Sequence, residues 1–170
     1  MPTHDLLSSP AGDDLRRQSC AGACGRDTPK LTREEITKHL ASVPQWKVDA
    51  ELTRLSRRLV AKNFKEAISF FNHVMEIAEA EGHHPDLHLT NYRDVQVGIS
   101  THAIKGLSIY DFILAAKIDA APVECSPKWL AAQEQELRGG HQHQTPESTQ
   151  SSDKQTLVEA EIATTSAQCI

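Results

Sequence analysis

Residues 85–103, PDLHLTNYRDVQVGISTHA, contain two runs of alternating character around a polar reversal. Leu87 and Leu89 share one side of the first run, and Val95, Val97 and Ile99 share one side of the second, with TNYRD between them. Successive side chains on a strand point to opposite faces, so each run has one apolar face and the pair reads as a β-hairpin. An antiparallel hairpin with one apolar face needs a covering layer. Carried to His102, the same period of two points that histidine away from the face of Val95, Val97 and Ile99, and so out of the core.

The chain before this hairpin repeats the pattern. WKVDAELTRLSRRLV (46–60) gives two short β-like runs around DAE, with Thr53, Leu55, Arg57 and Leu59 alternating against Arg54, Ser56 and Arg58. Helices separate and flank the hairpins. In LTREEITKHLASVPQW (31–46), Thr32 and Glu35 form a capping box and Pro44 closes the segment. NFKEAISFFNHVMEIAEAEG (63–82) has Asn63 as N-cap, Glu66 at the capping-box position and Gly82 as C-terminal stop. Its expected core stripe is Phe64, Ile68, Phe71, Met75 and Ala78. Ser108 and Asp111 cap IYDFILAAKIDAA, which Pro122 ends. The predicted order is α-β-β-α-β-β-α. That order implies an α+β two-layer sandwich, a four-stranded antiparallel sheet with helices on one face and the other face open to partners or self-association.

The 170 residues suit one domain, and 39% hydrophobic with 24% charged residues fits a soluble globular chain. No apolar run approaches the ~20 residues of a bilayer span, so no membrane partner is expected. A net charge of -5, with a nearly neutral middle, argues against nucleic-acid binding. Residues 1–28 and 139–170 lack hydrophobic period and read as flexible tails around a domain at 29–138. Trimming 1–27 and 140–170 is therefore expected to leave folding and catalysis intact. LVEAEIATTSA in the second tail suits a short helix and is assigned no function. Cys20, Cys24, Cys125 and Cys169 are too few for a disulfide framework. A reducing compartment follows, and without an apolar signal core or an acid-poor transit segment the expected location is cytoplasmic.

Chemistry concentrates in EAEGHHPDLHL (79–89). His83 and His84 fall just past a helix end, and Pro85 stops the helix and favours extended backbone at His84. Adjacent side chains diverge by roughly 100° on a helix and 180° on a strand, so the pair does not build a metal site. Cys20 and Cys24, with no second pair nearby, read as two reduced thiols. No G-x-S-x-G elbow, early nucleophilic cysteine or phosphate-cradling glycine loop is present. Two readings of the pair remain, a solvated turn or acid–base chemistry by imidazole, with Glu79 one turn before His83 and placed to accept its hydrogen bond. His39, His73, His88, His141 and His143 read as exposed, half-exposed or tail residues.

AEAEGHHPDLHL and THAIKGLSIYDFILAAKID, with PKLTREE and VPQW upstream, closely resemble the pterin-4a-carbinolamine dehydratase family over residues 28–120. The resemblance implies that family's small α+β sandwich and a homodimer or homotetramer. It implies catalytic roles for His83, His84 and His102 at the family's HH and TH positions, with Glu79, Pro85 and Asp111 as substrate-binding or supporting residues. The implied reaction is loss of water from a 4a-hydroxytetrahydropterin to a quinonoid dihydropterin, in tetrahydrobiopterin recycling, with no metal or other cofactor. A histidine at a helix C-terminus is favoured in its charged form, which nominates His83 or His84 as the acid. The family also implies an alternative, a non-catalytic binding protein serving another protein in dimerization or assembly.

Overall fold

The computed structural model describes residues 10–20 and 25–139. Its elements are α1 (Pro10–Arg16), α2 (Arg33–Leu40), β1 (Lys47–Val48), β2 (Leu55–Val60), α3 (Phe64–Glu81), β3 (Asp86–Thr90), β4 (Asp94–Ile99), α4 (Ile109–Asp119) and α5 (Pro127–Gly139). The strands form one antiparallel sheet in the order β1-β2-β4-β3, so the second hairpin inserts β4 beside β2 and leaves β3 at an edge. The expected α+β sandwich is therefore present. Leu55, Arg57 and Leu59 stand opposite Ile99, Val97 and Val95 on the buried face. The opposite face is polar, with Arg58 Nε donating to Gln96 Oε1 at 3.1 Å.

Local chemistry sets the element ends. Thr32 and Glu35 exchange backbone and side-chain hydrogen bonds at the start of α2, and Asn63 accepts from the Glu66 amide at 2.9 Å at the start of α3. Gly82 ends α3 with φ of +61°, a left-handed conformation that costs glycine little. In the first hairpin, Asp49 Oδ1 accepts from the amides of Thr53 (2.7 Å) and Arg54 (3.1 Å), which fixes the reversal.

Three features depart from the sequence-based expectation. α3 turns the other way: Ala67, Phe70, Val74, Ala78 and Glu81 are buried, whereas Phe64, Ile68 and Met75 are exposed and Phe71 is half-buried. The helix is apolar on two sides, and spacing alone does not tell which faces the sheet. Residues 10–20 also depart from the expected flexible tail. α1 packs against α4, and Leu15 and Cys20 belong to the core. The cause lies in α4, where Asp111–Ala116 and Ile118 are all buried; a helix apolar all round needs cover on every side. Residues 1–9, 21–24 and 140–170 of the two expected tails lie outside the described residues, as does the helix expected at LVEAEIATTSA. Third, α5 was not anticipated; its Trp129 packs on the core beside the groove of Arg58, Val60, Thr90 and Gln96. Among the described residues, no helix is long and apolar enough to cross a membrane.

Candidate active site

The left-handed turn at Gly82 sends the chain out of α3 so that His83 and His84 diverge. His83 is buried, 4% exposed, and its Nε2 lies 3.1 Å from Asp111 Oδ1 at the start of α4. The two atoms are within ion-pair distance but lack hydrogen-bond alignment. His84 faces outward with a side chain 63% exposed, and its Nε2 lies 3.1 Å from Glu79 Oε1. Glu79 therefore partners His84, not His83 as its one-turn spacing suggested, because the chain leaves helical geometry at Gly82 before either imidazole is placed.

Asp111 is fully buried and uses its oxygens differently. Oδ2 closes the capping box on the Ser108 amide (2.7 Å), accepts from Ser108 Oγ (3.1 Å) and also accepts from Thr101 Oγ1 (2.8 Å). Oδ1 remains to face His83. The same carboxylate thus ties the His83 corner to Thr101, the residue before His102. β4 ends at Ile99, and His102 is the exposed first residue of a 3-10 turn, His102–Ile104, rather than the last residue of a strand. Thr101 and Gly106 pair across that turn, the Thr101 amide donating to Gly106 O at 3.0 Å.

A cavity of about 280 Å³ opens beside His102, lined by Asp49, Thr53, Arg54, Thr101 and Lys105 among others. Arg54 forms an ion pair with Asp86, the residue after Pro85. The Arg54 guanidinium holds the Asp86 carboxyl below the usual carboxylate range against the opposing effect of burial, and His102 and His88 contribute in the same direction as Arg54. Asp111 thus links His83 to Thr101, the neighbour of His102, whereas His84 is paired with Glu79 on the outer side of the corner. Arg54, Asp86, Thr101 and Ser108 were not anticipated as parts of the site. The THAIKGLS spacing that brings Thr101 and Ser108 to Asp111 was the available signal for the last two.

Two imidazoles each 3.1 Å from a carboxylate at the end of a helix, on an α+β sandwich, are an arrangement suited to acid–base chemistry. Comparison with known proteins places the chain more closely. A family model described as pterin 4 alpha carbinolamine dehydratase matches residues 29–121, and the chain belongs to that family. A protein of Halorhodospira halophila, provisionally named pterin-4-alpha-carbinolamine dehydratase, is 43% identical over 106 residues, covering 62% of this chain and 95% of that one. The Arabidopsis thaliana protein named mitochondrial pterin-4-alpha-carbinolamine dehydratase 2 is 41% identical over 113 residues, 65% of this chain and 60% of that one. A crystal structure of a transcriptional coactivator/pterin dehydratase from Brucella melitensis aligns with a TM-score of 0.52 and 27% identity, covering 55% of this chain and all of that one.

Proposed function

We propose that the chain dehydrates a 4a-hydroxytetrahydropterin, with His83, His84 and His102 as acid–base groups and Glu79, Pro85 and Asp111 supporting them. A proton goes to the 4a-hydroxyl, which leaves as water as the C4a–O bond breaks. A second proton leaves N5, and the C4a–N5 double bond of the quinonoid dihydropterin forms. Both transfers suit groups that titrate near neutral pH, and positioned acid–base catalysis contributes ~10² to 10⁴ in rate. The observation that carries the reading is the buried His83–Asp111 pair at 3.1 Å, with a solvent-facing imidazole on the adjacent residue. Asp111 and Glu79 each place a carboxylate oxygen 3.1 Å from the Nε2 of His83 and His84, while Pro85 fixes the corner. No step calls for a metal or redox cofactor. The substrate is the hydroxylated form of the cofactor left by aromatic hydroxylases that use tetrahydrobiopterin, which gives the reaction a place in that recycling; a cytoplasmic site of action is testable by cell fractionation.

Purified full-length protein added to freshly generated 4a-hydroxytetrahydropterin is expected to accelerate dehydration above the spontaneous rate; no acceleration sinks the enzyme reading. We also read the chain as a homodimer or homotetramer. The exposed stripe of Phe64 (54% exposed), Ile68 and Met75 (52% exposed) on α3 and the open edge of β3 support self-association. That stripe is equally the observation favouring the second reading, a binding protein for another chain. Light scattering is expected to give a mass above the monomer, and Phe64→Glu with Met75→Glu is expected to lower it.

A further inference from the structure

The segment before the family-matched residues 29–121 reaches the site from behind. The Cys20 amide donates to Glu81 Oε2 at 2.7 Å, and Ser19 Oγ donates to the same oxygen at 3.2 Å. Lys117 Nζ of α4 donates to Glu81 Oε1. Cys20 Sγ donates to the Tyr110 carbonyl at 3.4 Å. Cys20 is 1% exposed and Glu81 8%. Leu15, also buried, anchors the segment on the core.

These partners occupy particular places in the chain. Glu81 is two residues before His83 and Tyr110 is one residue before Asp111. Cys20 is therefore bonded both to the helix end that delivers His83 and to the helix start that delivers Asp111. Gly82, the one residue between Glu81 and His83, is the residue type with the widest backbone freedom. The His83 amide donates back to the Ala78 carbonyl at 3.2 Å and so ties the corner to the end of α3, and the bonds that hold Glu81 fix that end against α4 and the N-terminal segment. We propose that Cys20 and Glu81 are positioning residues for dehydration, holding the ends of α3 and α4 so that the His83 and Asp111 side chains meet. This rests on the reading of His83 as an acid–base group. Burial pushes the Glu81 carboxyl up, but Lys117 and the Cys20 and Ser19 donors pull it further down, and its net position is below the usual carboxylate range. It is thus held as an anion able to bind all three donors at neutral pH.

The test uses the full chain with Glu81→Ala, Glu81→Gln and a core control, Leu59→Ala, all at a temperature where circular dichroism shows them folded. Glu81→Ala is expected to lower kcat about tenfold with KM changed by less than about twofold, short of the ~10²-fold that a 1 Å misplacement can cost. Glu81→Gln keeps an acceptor for the Cys20 amide and is expected to recover most of that loss, while Leu59→Ala keeps wild-type kcat. Nitrogen NMR of the His83 ring supplies a readout independent of turnover: its resonances are expected to move in Glu81→Ala and to stay near wild type in Glu81→Gln. Unmoved His83 resonances in Glu81→Ala, or a kcat no lower than that of Leu59→Ala, overturn the positioning role. Failure of the wild-type protein to turn over pterin overturns the proposed reaction instead, and the ring resonances still decide whether Glu81 orients His83.

Discussion

At the scale of single residues, His83 and His84 are neighbours with opposite environments, and their substitutions should separate. The sequence places both at a proline-fixed corner, but nothing in HHP tells which ring turns inward, because adjacent side chains diverge and the left-handed turn at Gly82 chooses between them. Asp111 was legible as a helix cap; that its second oxygen faces His83 depends on how α3 and α4 approach, a tertiary fact. His83→Ala removes a buried ring and leaves Asp111 Oδ1 without the group it faces, so it is expected to cost ~1–3 kcal/mol of stability besides lowering turnover. A solvated turn, one of the two readings the sequence left open for the pair, does not describe His83, which is buried. His84→Ala, at a solvent-exposed side chain, is expected to shift stability by less than about 0.5 kcal/mol while still lowering turnover. Urea denaturation beside kinetics on the same samples checks both; equal stability losses in the two variants would contradict the assigned orientations.

At the scale of elements, caps and hairpins were legible because they are local: Thr32 with Glu35, Asn63, Gly82, and Ser108 with Asp111 all act where their chemistry places them. The facing of α3 was not, since Phe64, Ile68 and Met75 compete at the same helical period with Ala67, Phe70 and Val74. Phe70→Ala is expected to cost ~3–5 kcal/mol and Ile68→Ala far less, a contrast read from thermal or urea unfolding. A reversed order would mean that the outer stripe carries the core. α4 also takes part in a buried pair, where Arg57 Nη1 lies 2.9 Å from Asp119 Oδ1, which also accepts from Trp46 Nε1 at 2.8 Å. Asp119→Ala leaves a buried guanidinium without its counter-charge and is expected to cost ~3–5 kcal/mol, with Arg57→Met in the same chain recovering much of it. Strand parity already put Arg57 on the side of Leu55 and Leu59; that an acid at the far end of α4 balances it there was not legible in the sequence.

At the scale of the whole molecule, the segments are tied together by carboxylates whose partners come from elsewhere in the chain. Glu81 joins the N-terminal segment, α3 and α4; Asp86 joins β3 to Arg54; and Asp49 closes the first hairpin. For Glu81 and Asp49, burial alone pushes upward and is outweighed, by Lys117, Cys20 and Ser19 in one case and by Thr53 and Arg54 in the other; for Asp86 the Arg54 bond dominates. All three carboxyls end below their ordinary values of about 4. A group whose pKa is depressed by folding adds stability that is fully present above its unfolded value and is lost as pH falls through its folded value. Asp119 works in the opposite sense, because burial raises it despite Arg57 and Trp46. Glu35 and Glu124 are depressed as well, and five depressed carboxyls against one raised give unfolding free energy that falls as pH drops below about 4.5. The experiment is urea unfolding from pH 3 to pH 7 on the full chain and on Glu81→Gln, which cannot titrate. The variant is expected to be less stable at neutral pH and to lose less stability on acidification, so that the two curves converge at low pH. Parallel curves across the whole range would show that Glu81 contributes no proton linkage and that the N-terminal segment is held by Leu15 and its apolar neighbours alone.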